Sequence, residues 1–133
     1  MTSLLRELLH AKTRDGPGFR FTLALNPEDM RQGFNSLSDV ALAELDLDVS
    51  LGVDWILFIG KSGKSLKLIG QSSNSQHLIG SKVIVGTLNY LTKYASLADN
   101  ACCNLTIDEV LALMEGQKIT PAALSGAVRT ESR

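Results

Sequence analysis

Asp54-Trp55-Ile56-Leu57-Phe58-Ile59-Gly60, then Lys61-Ser62-Gly63-Lys64, then Ser65-Leu66-Lys67-Leu68-Ile69 is the stretch from which the architecture is read. Residues 55–59 are apolar without interruption, which predicts a central strand covered on both faces. Residues 61–64 supply a turn, and Ser65 to Leu68 alternates outward and inward, so the two strands form a hairpin. Its lysines cluster: Lys61 and Lys64 at the tip, Lys67 on the solvent side just behind them, with Lys82 close by.

Upstream, Asp15-Gly16-Pro17-Gly18 breaks the chain, and Phe19, Phe21, Leu23 and Leu25 alternate as in a half-buried strand. Asn26-Pro27-Glu28-Asp29 reads as a helix start, with a polar cap, proline at the first position and carboxylates facing the positive dipole end. Met30, Phe34, Leu37, Ala41 and Leu45 then form one apolar stripe. Gly33 inside that stripe suggests close backbone packing or a bend. Before the breaker, Leu4, Leu5, Leu8 and Leu9 mark a short amphipathic helix behind Ser3.

Downstream, Gln71 to Gln76 is polar and turn-like, and His77-Leu78-Ile79 adds a third short strand. Helix is expected from about residue 82, where Leu88, Leu91 and Tyr94 outweigh the strand character of Val83-Ile84-Val85. Thr106-Ile107-Asp108-Glu109 is a capping box, with Leu105 and Val110 at hydrophobic-staple positions and Gly116 as a left-handed stop. Thr120-Pro121 starts a further turn before the chain frays.

The expected fold is therefore α+β: a small antiparallel sheet with a central hairpin, packed against two or three helices. The chain of 133 residues is expected to form a single domain, with residues 1–18 as an N-terminal helical arm and 119–133 as a partly disordered tail. The longest apolar run is five residues, far below the roughly 18 that a membrane helix needs. With Arg6 and Glu7 among the first leucines, no secretory signal is read there, which points to the cytoplasm and to no membrane partner.

The net charge of −1 conceals an uneven distribution. Residues 28–54 hold one basic side chain against seven acidic ones, whereas residues 55–95 hold five lysines and no carboxylate. A carboxylate-free stretch of this kind can face a polyanion. The plain alternative is a strand edge kept soluble by its lysines.

Other motifs fail on their own chemistry. Gly60-Lys61-Ser62-Gly63-Lys64-Ser65 has part of a phosphate-binding loop, but Phe58 stands where its first glycine belongs, and a strand follows where a helix should. Asp29, Asp39, Glu44, Asp46, Asp48 and Asp54 lie largely on one helix and its exit, which does not suit a two-metal cluster drawn from several elements. Cys102 and Cys103 have no ligand-spaced partners, and His10 and His77 have no nucleophile context. No catalytic residue, metal or cofactor is assigned, and an enzyme is the least favoured class.

Three segments together resemble a known family, the TnpB-type (Orf2) accessory proteins of bacterial transposons in the insertion sequence 66 family, which are distinct from the RNA-guided nuclease of the same label. Pro27 to Leu37, with Asp29, Met30, Arg31, Gly33 and Phe34, is similar to the family's Asp-Met-Arg-x-Gly-Phe motif. Leu57 to Ile69 resembles its basic-tipped hairpin, and Leu105 to Gly116 resembles its closing Leu-Thr segment. Two features depart from the pattern: the tip carries lysines where the family has arginines, and Gly70-Gln71 replaces an aromatic region. The resemblance implies a non-catalytic accessory protein of DNA transposition, binding DNA or the transposase of the same element through Lys61, Lys64, Lys67 and Lys82. The alternative is a protein-interaction module, pairing with itself or a partner chain through its amphipathic helices, without nucleic-acid affinity.

Overall fold

A computed structural model describes residues 18–72, 75–83, 86–97 and 101–124. The N-terminal helix expected before residue 12 lies outside these residues. The fold is α+β. Strands β1 (Arg20–Glu28), β2 (Asp54–Gly60), β3 (Ser65–Ser72), β4 (Ser75–Lys82) and β5 (Cys102–Leu105) form one sheet in the order β4-β3-β2-β1-β5. Helix α1 (Phe34–Leu45) and a 3-10 turn (Val49–Leu51) connect β1 to β2. The short helices α2 (Asn89–Thr92) and α3 (Tyr94–Leu97) precede β5, and α4 (Ile107–Met114) follows it.

The apolar run does what its composition demands. All seven residues of β2 are buried, because β2 sits mid-sheet between β1 and β3 with a layer on each face. Trp55, Leu57 and Ile59 join Phe21, Leu23, Leu25, Leu66, Leu68, Val110, Leu111 and Leu113 on the side covered by α2 and α4. Ile56 and Phe58 join Ala24, Leu37, Ala41, Val49 and Ile69 on the side covered by α1. The sheet is antiparallel except at β1 and β2, which run parallel because α1 carries the chain back across the sheet between them.

Several local expectations shift. Strand β1 is buried on both faces from Phe21 to Leu25, not half-buried, since Thr22 and Ala24 are covered as well, Ala24 in the layer that includes Leu37 and Ala41 of α1. Asn26, Pro27 and Glu28 extend this strand and do not start the helix. The ladder changes register between Ala24 and Glu28, a place where the missing Pro27 N–H costs no pairing. Helix α1 begins at Phe34, with Gly33 as an uncapped N-cap. Nothing lies within 4 Å of where a Gly33 Cβ would stand, so this glycine marks a terminus and not a close contact. Of the stripe, Leu37 and Ala41 are fully buried, and Met30, Phe34 and Leu45 pack at its margin.

Residues 75–82 form a full edge strand, so Lys82 ends a strand instead of opening a helix, and the next described helix starts at Asn89. Strand β5 has no counterpart in the sequence pattern: four residues with little alternation carry weak local signal, and pairing to β1 creates the strand. The capping box is present as read. The Thr106 hydroxyl accepts from the Glu109 N–H at 3.1 Å, and the Glu109 carboxylate accepts from the Thr106 N–H at 2.8 Å. Its other oxygen accepts from the Ala122 N–H at 2.8 Å, fastening the next turn. Gly116 has φ 86° and closes α4, with Gln117 N–H donating back to the Ala112 carbonyl. Beyond it Leu124 is buried and Tyr90 Oη donates to the Ile119 carbonyl, so the stretch up to residue 124 is docked.

Candidate functional site

The four lysines singled out from sequence share one end of the sheet. The Gly63 N–H donates to the Gly60 carbonyl at 2.9 Å, making the tight β2–β3 turn, and Gly63 holds φ 74°, where a side chain would be strained. Lys61 and Lys64 flank that turn and are exposed. Lys82 is in register with Ser65 and Gly80 with Lys67, so Lys82 and Lys67 lie on one face of adjacent strands, two positions apart.

The tip is anchored, not free. Val83 N–H donates to the Lys64 carbonyl at 2.8 Å, Leu88 N–H donates to the Gly63 carbonyl at 2.6 Å, and the Asn89 side chain fills the space beside Gly63. Lys61 N–H donates to the Glu28 carbonyl at 3.1 Å.

Lys67 differs from the expectation of a solvent-side residue. It faces the α1 layer, is half-buried, and its Nζ donates to the Gln32 carbonyl at 2.8 Å. Strand alternation explains this: Phe58 is its cross-strand neighbour on the face that α1 covers. Lys67 and Lys82 border an open groove of about 400 Å³ with Met30, Ser65 and Gly80. Among the described residues, none of Lys61, Lys64, Lys67 and Lys82 makes an ion pair; the carboxylates of Asp54 and Asp29 are taken by Arg20 and Arg31.

The motif residues 29–34 come to the same corner. Asp29 accepts from the Arg31 backbone N–H at 2.9 Å and from its guanidinium at 2.7 to 3.1 Å. These bonds, with smaller help from the charge of Lys61, hold the Asp29 carboxyl well below the usual carboxylate range, and the same pairing raises Arg31. Asp29 therefore shapes the turn between β1 and α1 and does not face the helix dipole. Arg31 is exposed, Met30 lines the groove, Gly33 caps α1, and Phe34 packs under it. The closing segment, residues 105–116, lies on the other side of the sheet, where it caps α4 and buries Val110, Leu111, Leu113 and Met114 in the core.

The acidic residues are spread over separate structural tasks. Asp54 is a buried bidentate partner of Arg20 at 2.9 and 3.0 Å, Asp48 caps the 3-10 turn through Ser50, and Asp46 ends α1 in a left-handed conformation. No group of three His, Cys, Asp or Glu side chains among the described residues is arranged to hold a metal. Cys102 and Cys103 sit on neighbouring positions of β5, and burial raises both thiols, Cys103 to about 12.

Sequence reading missed a second constellation, at the opposite end of the sheet. Ile56 pairs with Ile69 and Gly70 with His77, which sets Trp55, Gly70 and His77 in line across β2, β3 and β4. The Trp55 indole lies over Gly70, where a Cβ would collide with the ring, and stacks on the His77 ring at 5.4 Å. His77 Nε2 and Ser72 Oγ are hydrogen-bonded at 2.8 Å. Position 70 thus has no room for a side chain, because the tryptophan of the next strand occupies that volume. Gly70 and His77 meet Trp55 only through strand pairing, so no local signal points to them. No described helix is long and apolar enough to cross a membrane. No family model, curated protein or solved structure matches this chain.

Proposed function

We propose that this chain is a non-catalytic accessory protein of DNA transposition that grips DNA phosphates through Lys61, Lys64, Lys67 and Lys82. The observation that carries the reading is that all four stand at one end of the sheet, Lys67 and Lys82 on one face and Lys61 and Lys64 at the turn, without ion-pair partners among the described residues. Unneutralised ammonium groups on adjacent strands release counterions when a phosphate backbone replaces solvent ions around them. Resemblance of residues 27–37, 57–69 and 105–116 to the transposition accessory family supports the biological setting. Among the described residues the corner holds no aromatic platform, and Arg31 there is engaged with Asp29. Backbone contact without base readout is the mode such a surface favours.

The test is a salt titration of binding to duplex DNA, comparing the wild-type chain with one carrying Lys61→Gln, Lys64→Gln and Lys82→Gln. Lys67 is retained because it also fastens the Gln32 carbonyl. The slope of log K against log salt should shrink by about 0.9 for each phosphate that is no longer neutralised, so by up to roughly 2.7. An unchanged slope sinks the assignment. Absence of DNA binding combined with lysine-dependent binding to the transposase moves the target to an acidic protein surface. The reading as a protein-interaction module is favoured by one observation, the open outer edge of β4.

A further inference from the structure

We propose that β4 is a self-pairing edge: two copies of the chain join through antiparallel β4 strands about a two-fold axis at Ile79. The inference does not rest on DNA binding and concerns the free edge of the sheet, not the apolar face of a helix.

β4 is the last strand on its side of the sheet and, with eight residues, is twice as long as β5 at the other edge. Exposed strands are normally guarded by proline, bulges or charges. Here residues 75–81 contain no proline, lysine, arginine or carboxylate, and the β3–β4 ladder runs without a register shift from Ser65↔Lys82 to Ser72↔Ser75. Val83 N–H bonds the Lys64 carbonyl. By antiparallel alternation, Gln76, Leu78, Gly80 and Lys82 therefore direct their N–H and C=O groups away from β3.

Side chains on those same residues select the partner. Leu78 is one of three large apolar side chains exposed among the described residues. Two positions along, on the same face, Gly80 is exposed, and a Cβ there would meet only the Leu66 carbonyl oxygen at 3.9 Å. The strand thus carries a knob and a hole. A two-fold axis at Ile79 sets Leu78 opposite Gly80 of the second copy and Gly80 opposite its Leu78, so both knobs are covered at once. Lys82 falls opposite Gln76 of the second copy. The two Lys82 residues then stand six strand positions apart, about 20 Å at roughly 3.4 Å per residue. That exceeds the screening length of roughly 8 Å at physiological salt, so the charges do not oppose pairing. This internal complementarity is what commits the edge to a second copy of the same chain.

Sedimentation of the full chain over a concentration series tests it, with Gly80→Leu and the exchange variant Leu78→Gly/Gly80→Leu alongside. The wild type should dimerise reversibly. Gly80→Leu fills the hole, finds space within the monomer, and should weaken the dimer at least tenfold while circular dichroism stays unchanged. The exchange variant swaps knob for hole and should recover most of the lost affinity, which a merely damaged strand would not. A wild-type chain monomeric at every accessible concentration, a dimer indifferent to Gly80→Leu, or an exchange variant no better than Gly80→Leu overturns the proposal.

Discussion

On the α4 side of the sheet, side chains of β1, β2 and β3 meet helices and the docked segment ending at Leu124, and the layer is continuous from Phe21 to Leu68. On the α1 side the layer covers Ala24, Ile56, Phe58 and Ile69 but thins over β3 and β4, leaving Lys67 half-covered and Leu78, Gly80 and Lys82 open. The same strands thus supply both a sealed core and an accessible surface. Alternation makes this possible: shifting a residue by one position moves it from one face to the other. Stability concentrates on the sealed side, and the open corner carries the groove bordered by Lys67 and Lys82.

The sharpest way to break that comparison is at Trp55, the largest fully buried side chain. Trp55→Ala should cost about 3–5 kcal/mol in chemical denaturation. Gly70→Ala should cost roughly 1–3 kcal/mol by overpacking, because its methyl meets the indole. In a Trp55→Leu background that penalty should largely vanish, and a double-mutant cycle reads the difference. Equal Gly70→Ala penalties in both backgrounds would show that the indole is not the obstacle.

A smaller loss is expected on the other face. Leu37→Ala, in the thinner layer under α1, should cost about 2–3 kcal/mol, toward the low end for buried leucine. A cost matching that of Trp55→Ala would erase the distinction between the faces.

The mildest test uses the adjacent cysteines. Cys103 pairs with Leu23 and packs against the sealed layer, whereas Cys102 pairs with Ala24 on the α1 side. Burial pushes the Cys103 thiol up to about 12 from its ordinary 9.0, with the neighbouring Cys102 and Glu109 adding to it. The folded chain therefore favours the neutral thiol. Its contribution to stability is intact below pH 9 and is lost as pH rises toward 12. Compared with Cys103→Ala, the wild type should lose stability across that alkaline window and not below it. Near neutrality, thiol labelling of the folded chain should reach Cys102 before Cys103, and the reverse order would contradict the two-face picture.

Much of this organisation is legible in residues 54–69, because a central strand and a tight hairpin are written in short-range pattern: unbroken apolar character, then glycine and lysine, then alternation. The capping box at Thr106 and Glu109 is equally legible, being an interaction between residues three apart. Asn26-Pro27-Glu28-Asp29 misleads because its composition suits a helix start, while the actual competitors are of another kind: β2 pairs with Glu28, and Arg31 takes the Asp29 carboxylate. Lys67 reads as solvent-facing because neither α1 nor the Gln32 carbonyl can be located from a strand pattern.

Composition and local spacing are enough to establish the α+β class, the buried middle strand, the lysine-tipped hairpin and the ends of α4. Three-dimensional packing decides the parallel pairing of β1 with β2, the existence of β5, the seat of Trp55 over Gly70 and the open edge of β4. The reason is one of range. Turns, caps and alternation are set by interactions over a few residues, whereas strand order and burial depend on which distant segments exclude water together.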